Sequence, residues 1–216
     1  MDAAAPAAKR PRSARGAARV LVDMDGVICD FDKQVHDRYA ELHPDLPNIP
    51  LNERKVHFYA SKHYKERFGP EAAEKVKDII ESPGFFENLP PIEGAVEALR
   101  AIDALPGVSV FICTSPLTFY DYVLREKCAW VEKHLGKSWV KKIVLTKDKT
   151  IVKGDVLIDD KPNITGDESQ PDWKHLLFHT GPNEHVEGPI RLLSWKRIHW
   201  EPLLREYNGT NHVPQT

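Results

Sequence analysis

Residues 19–27 read RVLVDMDGV, and this stretch decides the fold of the chain. A short apolar run that ends in acid is typical of a buried parallel strand, because helices cover both faces of such a strand. Runs of the same type recur at 108–113 (VSVFIC), 142–145 (KIVL), 155–158 (DVLI) and 175–178 (HLLF). We therefore expect these runs to form strands of one sheet.

Helical patterns separate the apolar runs. Residues 94–105 place three aliphatic side chains on one side, and residues 194–207 predict a closing helix. A longer amphipathic pattern, with spacings of three and four, ends at Gly136; its members are Leu117, Tyr120, Leu124, Cys128, Val131 and Leu135. Strands that alternate with helices predict an α/β fold, a parallel sheet covered on both faces.

One long stretch, from about residue 31 to 89, lacks a convincing strand. It contains a helical segment near 33–42, a proline-rich turn at 43–50, and a helix with Ala72, Val76 and Ile79 on one face. We interpret it as a helical insertion after the first strand.

Composition limits the classes of function. With 216 residues, 41% hydrophobic and 29% charged, the chain is long and apolar enough for one domain with a real core. A formal net charge of −2 argues against binding a nucleic-acid polymer or a membrane by bulk charge. Its apolar runs are shorter than the roughly 20 residues of a membrane-spanning helix. The three cysteines form no Cys-x-x-Cys pair, which favours a reducing compartment.

Polar residues follow the predicted strands where each one ends. Asp23 and Asp25 follow the first, Thr114 and Ser115 the second, the sequence TKDK (146–149) the third, and Asp159 with Asp160 the fourth. Because ligands of open parallel sheets bind at the carboxyl ends of the strands, we expect these side chains to meet at one edge.

The mixture has a chemical logic. Crowded carboxylates repel one another, and a hard divalent cation such as Mg²⁺, which prefers oxygen ligands, removes that repulsion. The neighbouring lysines and hydroxyls suit an anion with several oxygens, which phosphate fits best. Asp23 can then act as a nucleophile and Asp25 as an acid and base.

Each feature also has an ordinary structural explanation. An Asp-x-Asp pair is often a turn, Thr114 and Ser115 could cap a helix, and a lysine in a charged loop is usually only solvated. Their order, each directly after a predicted strand, favours the functional interpretation.

The motifs DMDGV (23–27), FICTS (111–115), TKDK (146–149) and LIDD (157–160) resemble those of the haloacid dehalogenase superfamily of phosphohydrolases. Longer stretches, among them SPGFFENLPPIEGAVEAL (82–99) and DVLIDDKPNITG (155–166), resemble the 5′(3′)-deoxyribonucleotidases of that superfamily. The resemblance covers residues 19–200 and implies a Rossmann-like core with a small helical cap. It also implies Mg²⁺-dependent hydrolysis of deoxyribonucleoside monophosphates to nucleoside and phosphate.

The resemblance implies a role for each matching position. Asp23 would attack phosphorus, and Asp25 would protonate the leaving oxygen and later activate water. Mg²⁺ would be held by Asp23, the main-chain carbonyl of Asp25, and Asp159, with Asp160 close by. The phosphate-binding positions are Thr114, Ser115, Lys149, Lys127 and Lys147, and those of the nucleoside pocket are Phe31, Phe58, Tyr59 and Phe86. For Phe86 a place in the cap core is an equal alternative. Lys147 and Tyr59 depart from the family pattern, which usually has Arg and often has Trp there.

The resemblance also implies the organisation of the chain. We expect a core of residues 19–32 and 90–207, a cap of residues 33–89, and tails at 1–18 and 208–216. The basic first 18 residues could be a solvated tail, a nuclear signal or a truncated mitochondrial presequence. We expect a cytoplasmic protein, with the mitochondrion as the alternative, and a homodimer, as the family implies.

Two other functions stay open at this point. One is a phosphatase of the same superfamily acting on another small phosphate ester. The other is a phosphate-binding scaffold without catalysis, which the joint presence of Asp23, Asp25, Lys149 and Asp159 disfavours.

Overall fold

A computed structural model describes residues 18–117 and 121–207. The predicted tails, apart from Ala18, lie outside the described residues, as does Tyr120 of the predicted amphipathic helix.

Six parallel strands form one sheet in the order β3-β2-β1-β4-β5-β6. The α/β prediction is therefore confirmed. β1 is central, and the chain order reverses on either side of it, which places a crevice at its carboxyl end. The strands are β1 (Ala18–Val22), β2 (Val108–Thr114), β3 (Ile143–Leu145), β4 (Val156–Asp159), β5 (Lys174–Phe178) and β6 (Arg191–Leu192). The sequence pattern did not indicate β6, which has only two residues.

Seven α-helices are described. Four of them lie between β1 and β2, and the first three of these fall in the stretch where the sequence predicts an insertion. The helices are α1 (Phe31–Leu42), α2 (Ala60–Phe68), α3 (Pro70–Glu81), α4 (Ala95–Asp103), α5 (Val123–Leu135), α6 (Lys137–Val140) and α7 (Arg197–Tyr207). The prediction that Leu117 belongs to the amphipathic helix is wrong. Leu117 follows Pro116 in an irregular segment and faces a cavity, and the described helix begins at Val123.

Local signals explain where the inserted helices begin. The Asp30 carboxylate accepts a hydrogen bond of 3.0 Å from the Lys33 amide, which satisfies a free donor in the first turn of α1. Gly69, at φ +93°, separates α2 from α3, and Pro70 occupies the first position of α3. The sequence pattern did not indicate α2, because Lys, His, Glu and Arg fill most of it and leave no clear apolar stripe.

The insertion and the sheet share one hydrophobic core. Val20 and Val22 of β1 belong to the same buried cluster as Tyr39 of α1 and Tyr64 of α2. Side chains of the central strands that point to the other face of the sheet form a second, smaller cluster with Trp173. All three cysteines are free, and no helix in the described ranges is long and apolar enough to cross a membrane.

Helix α5 holds the segment by which the chain returns from the insertion to the sheet. The buried Glu126 carboxylate accepts hydrogen bonds from the amides of Gly84 (2.6 Å) and Phe86 (3.0 Å). One turn further on, the indole of Trp130 donates to the carbonyl of Leu89 at 2.7 Å. These bonds fix the return segment against the core.

We expect Glu126→Ala to destabilise the fold by about 2–4 kcal/mol, because it leaves two amides without their charged acceptor. Urea denaturation measures this loss. Glu132→Ala, on an exposed position of the same helix, is the matched control and should change the free energy of unfolding by no more than about 0.5 kcal/mol. Equal effects of the two substitutions would contradict the assigned role of Glu126.

Candidate active site

The carboxyl edge of the sheet gathers most of the predicted site residues. Pairing of β1 with β4 brings Asp23 beside the end of β4, and the Asp23 amide donates to the carbonyl of Ile158 at 2.8 Å. β2 ends at Thr114 on the other side of β1. Lys149 reaches the same edge from the connection between β3 and β4.

Three acids form a compact cluster suited to a cation. Carboxylate oxygens of Asp23, Asp159 and Asp160 all lie within 4.8 Å of one another. Burial and the charge of Asp23 raise the pKa of Asp159 to about 6. Burial, reinforced by the charges of Asp159 and Asp23, raises the pKa of Asp160 well above its usual range. Buried carboxylates that repel one another need positive charge to ionise at neutral pH, and their oxygens are ligands that Mg²⁺ prefers.

The Lys149 ammonium supplies positive charge to this cluster. Its Nζ lies 2.7 Å from Oδ1 of Asp23 and 2.6 Å from Oδ2 of Asp159. Burial opposes the lysine charge, but the two carboxylates outweigh that effect and raise the pKa of Lys149. The Asp148 carboxylate braces the loop by accepting bonds from the amides of Thr150 (2.8 Å) and Asp167 (2.7 Å).

A second ion pair lies beside the cluster. The fully buried Lys127 ammonium donates to Oδ2 of Asp25 (2.6 Å), Oγ1 of Thr114 (2.8 Å) and the Ser115 carbonyl (3.2 Å). Burial raises the pKa of Asp25, against the opposing charge of Lys127. The other oxygen of Asp25, Oδ1, is buried and has no hydrogen-bond partner within the described residues.

Gly26 allows the backbone of the DMDGV motif (23–27) to turn close to the Asp160 side chain. Its φ of +78° lies in the left-handed region, and a Cβ there would lie 2.4 Å from Oδ2 of Asp160. Any side chain at position 26 would therefore push on an acid of the cluster.

A cavity of about 740 Å³ opens between the insertion and the sheet edge, within the range typical of small-molecule sites. Its lining includes Asp25, Gly26 and Asp160 from the sheet edge. The insertion contributes an aromatic wall that includes Phe31 and Phe58.

The remaining predicted residues fall in different places. Tyr59 lines the cavity and is 62% exposed. Phe86 is fully buried behind the wall, where its ring packs on Phe31 and Phe85, and it does not line the cavity. Lys147 is exposed, and no described contact joins it to the acidic cluster.

The sequence did not indicate several of the residues that line the cavity, among them His179, Thr180 and Arg54. His179 and Thr180 directly follow β5. They could have been predicted from the HLLF run, because polar residues just after a parallel strand lie at the ligand-binding edge of the sheet. Arg54 lies in an irregular segment of the insertion, and no sequence pattern distinguishes it from the exposed arginines.

A model of the family described as "5' nucleotidase, deoxy (Pyrimidine), cytosolic type C protein" matches residues 17–202. The chain belongs to this family. It is 45% identical over 194 residues to the human cytosolic-type 5'(3')-deoxyribonucleotidase, covering 88% of this chain and 95% of that protein. It is 44% identical over 199 residues to the mouse mitochondrial 5'(3')-deoxyribonucleotidase, covering 91% and 90%. This membership makes the protein a hydrolase, as the resemblance implied.

Solved structures support the fold of this hydrolase. A HAD family hydrolase from Deinococcus radiodurans R1, with bound phosphate and sodium, matches with a TM-score of 0.57 at 15% identity, covering 89% of this chain and 97% of that one. A putative HAD-hydrolase from Bacillus subtilis, bound to magnesium, matches with a TM-score of 0.53 at 13% identity, covering 90% and 100%. The Rossmann-like core expected from the sequence is confirmed.

We expect Gly26→Ala to lower kcat/KM for phosphate-ester hydrolysis at least about tenfold, because its Cβ displaces Asp160. Steady-state kinetics on the purified protein measure the loss. Gly107→Ala is the matched control: Gly107 also has a positive φ (+72°), but a Cβ there meets nothing within 4 Å. Both variants should lose about 1–2 kcal/mol of stability from left-handed backbone strain. Only Gly26→Ala should lose activity, and a comparable activity loss in the control would contradict the explanation.

Proposed function

We propose that this hydrolase converts deoxyribonucleoside 5′(3′)-monophosphates, such as dUMP and dTMP, to nucleoside and phosphate. The observation that carries the proposal is the placement of two groups of side chains beside the 740 Å³ cavity. One group is the acid cluster with Lys149, and the other is the Asp25–Lys127–Thr114 group. The relatives named as deoxyribonucleotidases support the substrate class.

Magnesium is the cofactor that we propose. The carboxylates of Asp23 and Asp159, with the main-chain carbonyl of Asp25, would hold it, and the Asp160 carboxylate of the same cluster would lie close by. Clustered carboxylates offer the hard oxygen ligands that Mg²⁺ needs. When bound, Mg²⁺ neutralises negative charge on the phosphoryl oxygens during transfer. The magnesium-bound fold relative supports this choice.

Asp23 is proposed as the nucleophile. Its carboxylate oxygen attacks phosphorus, the ester P–O bond breaks, and the leaving oxygen takes a proton from Asp25. Burial raises the pKa of Asp25, which favours the protonated form needed for that step. The Asp25 carboxylate then accepts a proton from water as the water oxygen attacks the aspartyl-phosphate, which releases phosphate and restores Asp23.

Cationic and hydroxyl groups beside the nucleophile would hold the phosphoryl oxygens. Lys149 lies 2.7 Å from Asp23, and Lys127 positions both Asp25 and the Thr114 hydroxyl. Preorganised donors of this kind stabilise the charge that spreads over the phosphoryl group in the transition state. A phosphate contact from Ser115 or from the exposed Lys147 stays a prediction.

The aromatic wall is the proposed site of the nucleobase. Phe31 and Phe58 are partly exposed to the cavity and Tyr59 largely so, and a flat base can stack on such rings. Phe86 would support this wall from behind, since its ring centroid lies 6.3 Å from that of Phe31.

The remaining proposals concern organisation and context. We propose residues 19–32 and 90–207 as the catalytic core and residues 33–89 as its cap. A homodimer and a cytoplasmic location, with the mitochondrion as the alternative, are proposed from the family resemblance and the named relatives. A generic phosphatase of the same fold is the competing function.

A substrate panel tests the proposed function. With Mg²⁺ present, we expect kcat/KM for dUMP and dTMP to exceed that for glycerol 2-phosphate and sugar phosphates at least about tenfold, because only nucleotides can stack on the aromatic wall. EDTA should abolish turnover, and excess Mg²⁺ should restore it. A wide preference for sugar phosphates would replace the nucleotidase assignment with a generic phosphatase.

Substitution of the nucleophile tests the mechanism. Asp23→Asn should lower kcat for dUMP at least about 1000-fold, because the amide cannot form the phosphoryl intermediate. Asp78→Asn, the same change on an exposed position of α3, is the matched control and should retain wild-type kcat. Substantial turnover by Asp23→Asn would rule out covalent transfer through this residue.

A further inference from the structure

The aromatic wall of the cavity rests on a segment without regular structure. Residues 54–59 connect a short 3-10 turn (Leu51–Glu53) to α2 and carry Phe58 and Tyr59 to the cavity. The two rings meet edge to face, with centroids 5.3 Å apart. Tyr59 is 62% exposed, so packing against the core does little to fix its place. Another interaction has to hold this segment.

Arg54 provides that interaction. Its side chain is only 5% exposed, and all three guanidinium nitrogens donate hydrogen bonds within the protein. Nε bonds Oδ1 of Asp32 at 3.1 Å, one terminal nitrogen bonds the carbonyl of Phe58 at 2.6 Å, and the other bonds the carbonyl of His57. A planar guanidinium can brace two successive carbonyls and a carboxylate together, which a lysine ammonium cannot do in the same geometry.

The backbone of the same segment is held from the core side. A Cβ at position 181 would lie 2.6 Å from the carbonyl oxygen of Arg54, so Gly181 lets the loop after β5 approach that carbonyl closely. Next to this contact, Nζ of Lys55 lies 3.1 Å from Oε1 of Glu184. The segment is thus fixed between the first turn of α1, through Asp32, and the loop that follows β5.

We infer that Arg54 is a positioning residue for substrate recognition, which holds Phe58 and Tyr59 where they meet the nucleobase. The inference rests on the proposed function and deepens it. Arg54 affects the substrate only by holding Phe58 and Tyr59 in place. It takes no part in the ion pairs of Lys149 and Lys127 at the sheet edge, where the phosphoryl group would react. Loss of the Arg54 hydrogen bonds should therefore weaken recognition of the nucleobase. It should leave catalysis unchanged on a phosphate ester that has no base.

The experiment compares dUMP with glycerol 2-phosphate, an ester without a base, as substrates of Arg54→Lys and Arg54→Met. We expect KM for dUMP to rise about tenfold in both variants, the loss expected when a stacked base contact weakens. The change in kcat should stay within about threefold, and kcat/KM for glycerol 2-phosphate should stay at its wild-type value. Arg67→Met, which removes an exposed arginine of α2 paired with Glu53, is the matched control and should behave as wild type on both substrates.

Two features keep the test decisive. Arg54→Lys retains a positive charge beside Asp32, so it protects against loss of the fold, which thermal denaturation checks. Gly181→Ala presses on the Arg54 carbonyl without altering the guanidinium, and it should raise KM for dUMP in the same selective way.

Each outcome has a definite meaning. Unchanged KM for dUMP in Arg54→Lys and Gly181→Ala overturns the inference and leaves the proposed function intact. Equal losses on both substrates also overturn it, because they indicate a general structural role. A wild-type enzyme that shows no preference for dUMP over glycerol 2-phosphate refutes the proposed function itself.

Discussion

The bridge that Lys149 makes between Asp23 and Asp159 is the interaction on which the site depends. Two neighbouring strands of a parallel sheet end in acid at the same level, and their carboxylates repel each other in a buried environment. One ammonium, 2.7 Å from the first and 2.6 Å from the second, offsets that repulsion. The two strand ends can then lie close together.

The need for charge balance extends beyond this bridge. The Asp148 carboxylate accepts hydrogen bonds from the amide of Thr150 in its own loop and from the amide of Asp167 in the connection between β4 and β5. These bonds hold the loop that carries the neighbouring Lys149. On the other side of β1, the buried Lys127 pairs with Asp25 and holds the Thr114 hydroxyl. Each of the two ion pairs at the sheet edge therefore takes its cation from an element outside the strand that carries the acid.

The sequence predicted the centre of this arrangement well and its periphery poorly, for physical reasons. Asp23, Thr114 and Asp159 lie at the ends of buried strands, and parallel pairing brings such ends together. Lys149 follows the edge strand β3, within the same motif order. No sequence pattern predicts the role of Arg54, because that role depends on three hydrogen-bond partners that meet only in the folded insertion. Phe86 shows the same limit. The sequence shows that Phe86 belongs to an aromatic motif, but it does not show whether the ring faces the cavity or lies in the layer of rings behind the cavity surface.

Glu126 and Lys127, described above in separate roles, are consecutive residues of α5. One fixes the return from the insertion and the other holds Asp25, in directions about 100° apart around the helix axis. A shift of the helix by one residue would place a carboxylate where the ammonium now meets Asp25. The rotation of α5 about its axis therefore decides which of the two side chains meets Asp25. An insertion or deletion within α5 ahead of Glu126 would be tolerated less than most substitutions of the residues it displaces.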